Sequence, residues 1–232
     1  MRYFLLSSLP HAAGSGPGIC QQNRNPLVPN RVIRALLVDL DQWVTSGTEP
    51  PASRMPRVAD GTLVPPLPQD GVGFPAIPNV VYNGRMHTGD LFDFGPQVDR
   101  GILTVLPPRL VGTPYAMLAP KTDADGNDVA GVRLPDVAAP LATYTGWGLR
   151  AVPPDANDGC DAAGQKIDFS ATRAEREATG DPRPSVAERY PSHAAYVAAV
   201  TNAVDELRQA RLLLDADAQA YVETAARSSI GQ

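Results

Sequence analysis

Apolar positions along the chain fall into three regimes. Residues 2–8 (RYFLLSS) form a short continuous apolar run ending in serines. Such a run suits a strand covered on both faces, as in a parallel sheet. A Gly/Pro-rich loop follows from Pro10 to Pro29. Then Val32, Ile33, Leu36, Leu37, Leu40, Trp43 and Val44 recur at three- and four-residue spacing, which predicts an amphipathic helix over 31–46. Asn30 is its expected N-cap and Gly47 its stop, and Arg31, Arg34, Asp39 and Asp41 fall largely off the apolar face.

From Thr48 to about Lys166 the periodicity dissolves. Pro50-Pro51, Pro65-Pro66, Pro107-Pro108 and Pro153-Pro154 punctuate this stretch. Proline fixes φ and lacks an amide proton, so long helices are excluded here. Short strands are expected at Gly101–Leu106 and Gly131–Leu134, and a turn over Asp123–Asp128. Helical spacing then returns over 171–178, over 192–211 (N-cap Ser192; stripe Val197, Val200, Val204, Leu207), and over 215–229 with Asp215 as N-cap. The expected class is α/β, divided into 1–47 as the end of a core (strand, loop, helix), 48–166 as a Pro-rich extension and candidate cap, and 167–232 as helices.

Composition is that of an ordered chain, 43% hydrophobic and 19% charged over 232 residues. Its 24 prolines are about twice the usual ~5%, which adds irregular backbone without reaching low complexity. The net charge of −5, two lysines (Lys121 and Lys166) and scattered arginines exclude a polyanion-binding stripe, so no nucleic-acid partner is expected. No apolar run approaches the ~20 residues of a membrane span. The opening RYFLL is too short for the apolar region of a signal peptide. Cys20 and Cys160 are too far apart for a metal knuckle. They form either one disulfide in an exported protein or two buried thiols in the cytoplasm, and the reading leans to the thiols.

The leading chemical candidate is His11, in the loop after the buried-type run and before the helix. A general base must reach both a nucleophile and a substrate. Loops at the carboxyl edge of a parallel sheet offer that access. A histidine that binds only backbone or water is the plainer alternative.

Four segments carry a resemblance that sharpens this: YFLLSSLPHAAGSGPGICQQNRNPL, RALLVDLDQWVTSGTEPPASRMPRVADGTLVPP, DADGNDVAGVRLPDVAAPLATYTGWGLR and ATRAEREATGDPRPSVAERYPSHAAYVAAV. In this order they resemble the C-terminal part of the bacterial α/β-hydrolase-domain family, carboxylesterase-like proteins known mostly by fold. The resemblance implies an α/β-hydrolase sheet ending in the strand, His11 as the triad histidine, and the helix 31–46. It also implies a small ester as substrate in the full-length context. The triad order in such enzymes is Ser, then Asp or Glu, then His.

The chain departs from the pattern at the nucleophile. No serine has glycine two residues away on both sides, as G-x-S-x-G requires; Ser15 is flanked at those positions by Ala13 and Pro17. The resemblance places the serine and acid upstream of the matched segment. The expectation is therefore an inactive chain that carries the triad histidine and pairs with an upstream hydrolase segment. Alone it would have an orphan strand at 2–8, an uncovered helix face and poor solubility. A non-catalytic scaffold or binding protein is the competing reading, and an unrelated interaction domain the third.

Other motifs are weaker. Gly14-Ser15-Gly16-Pro17-Gly18 lacks the Lys-Ser/Thr of a P-loop and misses G-x-G-x-x-G. Asp123–Asp128 lacks the glycine and glutamate of a calcium loop. Asp93-Phe94-Gly95 has none of the companions of a kinase. His87, Asp90 and Asp93 would share a helix face, but the glycines around them oppose a helix. No cofactor and no metal are expected. Trp147, between Gly146 and Gly148, is either a ligand contact or a core plug, and Arg150 nearby is a candidate anion contact.

Overall fold

The structure, a computed structural model, describes residues 1–84, 90–112, 117–160 and 162–232; His87 lies outside the described residues. In chain order the elements are α1 (Asn30–Ser46), β1 (Leu63–Val64), α2 (Gln69–Val72), β2 (Phe92–Asp93), a one-turn 3-10 helix (Val98–Arg100), β3 (Arg109–Leu110) and β4 (Ala119–Pro120). Then come α3 (Pro135–Ala138), β5 (Ala142–Thr145), β6 (Gln165–Asp168), α4 (Arg173–Thr179), α5 (Val186–Arg189), α6 (His193–Gln209) and α7 (Asp215–Ala226). Among the described residues the strands pair as three two-stranded antiparallel sheets, β1 with β4, β2 with β3, and β5 with β6. Among the described residues no helix is long and apolar enough to cross a membrane.

The apolar run at the N-terminus is extended but does not build a regular strand of a parallel sheet. It makes two isolated parallel bridges, Phe4 to Arg54 and Leu6 to Val132. The amide of Leu5 donates to Arg54 O at 2.9 Å on one side, and that of Ser7 to Val132 O at 3.0 Å on the other. The expected orphan edges are thus occupied from within the chain, by Arg54, in a stretch with no strand signal, and by Val132, in the expected strand 131–134. The strands expected at 101–106 and 131–134 are likewise absent as elements: Val132 supplies one bridge only, and Thr104 and Val105 donate to Phe94 O from irregular backbone.

The helices follow their periodicity closely. Gly47 ends α1 at φ 73°, its amide bonded back to Trp43 O. Residue 29 is the cap position of α1, however, so Asn30 is already helical and no side chain caps the start. Ser192 caps α6 by accepting from the Ala195 amide, whereas α7 begins after Leu214 without a side-chain cap, so Asp215 lies inside it. Thr172 and Glu175 form a reciprocal capping box on α4, and Ser185 and Glu188 another on α5.

Val200, Val204 and Leu207 of α6 bury against Ala218 and Ala225 of α7, Leu212 and Leu213 of the connecting turn, and Val32 of α1. Phe4, Leu6 and Leu9 pack on the same cluster, so residues of the first, second and last thirds share one core. Each fully buried Val or Leu here contributes about 1.5–3 kcal/mol. α1 reaches this core through Val32 and Leu36; Ala35 and Asp39 are also buried, the last in contact with Arg211. Its wider apolar side points outward: Leu37, Leu40 and Val44 are 58%, 49% and 79% exposed, beside Ile33, Val38 and Trp43.

The β5–β6 hairpin is pinned by a charge. Arg183, 2% exposed, donates to both carboxylate oxygens of Asp181, to Thr143 Oγ1, and to the carbonyls of Ile167 and Asp168. Phe169 lies under the guanidinium at 4.9 Å. A buried guanidinium is tolerable only with its donors so committed.

Candidate functional site

His11 stands on a loop held from several directions. The Ala12 amide donates to Ala162 O at 2.9 Å and the Gly14 amide to Asn25 O at 2.9 Å. Asn25, fully buried, donates through Nδ2 to Ser8 O at 2.8 Å and to Thr145 O at 3.0 Å. Arg24 closes over the glycine turn by donating to Ser15 O and Gly16 O. A disulfide between Cys20 and Cys160 fastens the far limb of the loop to residues 148–160, where Cys20 also bridges Arg150 and the Cys160 amide donates to Gly148 O. Both sulfurs are therefore paired, and the expected free thiols are replaced by the other pairing that the sequence allowed. The imidazole itself is exposed, and among the described residues it has no hydrogen-bond or ion-pair partner.

A cavity of about 200 Å³ lies on the side of the apolar run that precedes His11. Leu5, Leu6 and Leu9 form one wall. Phe74, Tyr82 and Trp147 form another, their ring centroids 5.3–5.7 Å apart. The flanking residues hold Trp147 by close approach: a Cβ on Gly146 would come within 2.9 Å of Leu9 O. Just before β6, Gly164 takes φ 56° where a side chain would strike Thr145 O. Trp147 thus serves as packing partner and as cavity wall together. Arg150 is not among the lining residues; its Nε donates to Gly159 O at 3.3 Å and its amide to Asp158 O.

Asp128 is the one charged side chain among the described lining residues. The turn 123–128 forms as the sequence implies, closed by a bridge from Thr122 to Asp128 and by Gly126 at φ 79°. It delivers the Asp128 carboxylate against the run 2–8, where Oδ2 accepts from the Ser8 amide at 2.7 Å. Burial pushes the carboxyl up to about 6, and the nearby charge of Asp123 adds to the rise. The Ser8 amide and Arg133 pull the other way. Arg133 is committed to Asp123 at 2.8 Å and to Val137 O. Asp128 therefore has no ion pair of its own among the described residues.

Ser8 has the positive φ (60°) of a nucleophile-elbow serine but none of its setting. It is 2% exposed, its Oγ accepts from the Asp128 amide, and Leu6 and Pro10 occupy the elbow's glycine positions.

Sequence reasoning singled out His11 and Trp147 but missed Asp128, Phe74 and Tyr82 as parts of a site. Asp128 read as a solvated turn residue, and the two aromatics sit alone in the proline-rich stretch. No local signal marks them.

The described residues form a mixed fold of helices and small antiparallel sheets, with His11 on the loop between the extended apolar run and α1. A family model described as an alpha/beta hydrolase domain matches residues 7–223, and the chain belongs to that family. No curated protein and no solved structure matches it.

Proposed function

We propose that this chain is the histidine-bearing portion of a serine hydrolase of the carboxylic-ester type. His11 is the general base, and the nucleophilic serine and the acid come from a hydrolase segment outside these 232 residues. The observation that carries this reading is the exposed imidazole of His11, without a hydrogen-bond or ion-pair partner among the described residues, on a loop fixed by the Asn25 node and the disulfide. A triad base must be rigidly aimed yet reachable, and its worth lies in the serine it activates. Two further features support it. The sequence has no G-x-S-x-G. And α1, directly after the His11 loop, leaves a side of six large apolar residues open, more than isolated surface residues amount to. In this reading the upstream segment covers that side, and Trp147 contacts the apolar part of the substrate. Arg150 braces the loop 157–159 behind it.

The alternative, a non-catalytic binding protein with a hydrolase fold, draws on one observation: His11 is not among the described residues that line the cavity. Co-expression with the in-frame upstream segment separates the two. The hydrolase reading expects p-nitrophenyl ester turnover by the pair, negligible turnover by this chain alone, and a loss of about 10²–10⁴ on His11→Ala. Rapid His11-dependent turnover by the 232-residue chain alone would overturn it, as would a pair indifferent to His11→Ala.

A further inference from the structure

The cavity beside Trp147 combines features that the hydrolase reading does not require. Its walls are aliphatic and aromatic, and its volume of about 200 Å³ corresponds to roughly six or seven waters. That falls below the ~300–1,000 Å³ of sites for drug-sized ligands. An occupant is therefore a small molecule. Three aromatic rings in mutual contact line it, and π faces attract cations, most strongly where water is excluded. In the same lining stands the Asp128 carboxylate, without an ion-pair partner among the described residues.

An unpaired carboxylate beside an apolar space costs free energy unless it is protonated or met by a positive group. Among the described residues the neighbouring arginines are committed elsewhere. Arg133 holds Asp123, and Arg189 holds Asp125 on the neighbouring turn residue. The described lining contains no lysine, arginine or histidine. What remains to Asp128 is one backbone amide, that of Ser8.

We propose that this cavity binds a small organic ammonium ion. The cationic head pairs with Asp128, and the apolar body rests against Phe74, Tyr82 and Trp147. Charge complementarity selects the head, and the aromatic trio adds to it. The inference shares Trp147 with the hydrolase reading but does not use His11, so binding without turnover tests it separately.

The probe pair is 2-phenylethylammonium and 2-phenylethanol, which share a body and differ in charge. Binding is followed by calorimetry and by Trp147 fluorescence in a Trp43→Phe background, with Trp43 lying on the outer side of α1. At pH 8 the ammonium is expected to bind at least about tenfold tighter than the alcohol, a difference of about 1.4 kcal/mol. The preference shrinks as Asp128 takes up its proton near pH 6, with Asp123 and Arg133 the charged groups that act on that carboxyl and Tyr82 a titratable group in the same lining. Asp128→Asn is expected to abolish the preference and leave alcohol binding intact, which also shows that the variant is folded. Trp147→Leu weakens both ligands. Equal affinity for the two probes, no binding of either at millimolar concentration, or a preference that survives Asp128→Asn would each overturn the inference.

Discussion

Replacing Cys20 and Cys160 by alanine removes a cross-link that closes 140 residues of chain. In the chain-entropy treatment a loop of that size restricts the unfolded state by about 5 kcal/mol at 25 °C. Measured losses on removing native disulfides run at about 2–5 kcal/mol, so a loss of about 3–5 kcal/mol is expected here. That is a large share of the about 5–15 kcal/mol that holds a typical domain together. Alanine is the right replacement. Cys20 and Cys160 are 4% and 1% exposed, and a serine hydroxyl left unpaired there adds about 1–3 kcal/mol of unrelated cost. Urea unfolding of the oxidised and double-alanine proteins is the assay. With a slope near 3 kcal/mol/M, the midpoint falls by more than about 1 M. Amide exchange gives the local readout, since the Gln21 amide donates to Leu149 O and the Ala151 amide to Ile19 O across the cross-linked seam. These amides are expected to lose protection more than those of α6. Coincident midpoints and unchanged exchange at Gln21 would refute the reasoning. Two thiols found in the unreduced, denatured protein would refute the pairing itself.

Two further perturbations test the interior. Arg183→Met leaves the Asp181 carboxylate buried beside empty acceptors and is expected to cost about 3–5 kcal/mol in a thermal or urea melt. Adding Asp181→Leu is expected to return much of it, and a single variant as stable as the parent would contradict the pairing. Burial opposes ionisation of Asp181, but the hydrogen bonds and charge of Arg183 outweigh it and hold the carboxyl below its usual range. That contribution is present above the ordinary pKa of 3.8 and fades as the pH falls below it. Asp128 has the opposite sign. Its folded-state pKa is raised from 3.8 to about 6, so the folded protein binds more protons than the unfolded chain between those values, and stability declines as pH rises through that window. The rise corresponds to about 3 kcal/mol at and above neutral pH. Asp128→Asn is expected to recover a part of this at pH 8 and to flatten the profile between pH 4 and 6, as read from urea midpoints. A parent profile that climbs over that range would contradict the assignment.

The helices were the legible part of the fold. In α6 one stripe of valine and leucine at helical spacing is both the signal and the buried face, so pattern and packing agree. In α1 they part company: the stripe is helical as read, but most of it faces outward while Asp39 faces in. The β5–β6 hairpin was not legible, because Thr143 and Thr145 are buried polar residues. What makes their burial tolerable is Arg183, the Asp125 carbonyl and the Trp147 carbonyl, and two of these lie far along the chain. The same holds for Asn25, whose partners are Ser8 and Thr145. His11 was readable as a candidate because its neighbours in sequence define its setting. The cavity was only half readable: Trp147 stood out between its glycines, but Asp128 gains its significance from the run 2–8, more than a hundred residues earlier.

The two-sided pairing of that run has a consequence for how the protein is made. Phe4 waits for Arg54, Leu6 for Val132, Cys20 for Cys160 and Asn23 for Lys166. At about 5–20 residues per second, Val132 is synthesised roughly 6–25 s after Leu6. For that interval the run lacks the Val132 side of its pairing, although Arg54 has already emerged to meet Leu5. The run therefore completes its two-sided pairing only once the middle third of the chain has emerged. The same long-range seam that later fixes the His11 loop makes the nascent chain a client for whatever shields apolar segments during synthesis.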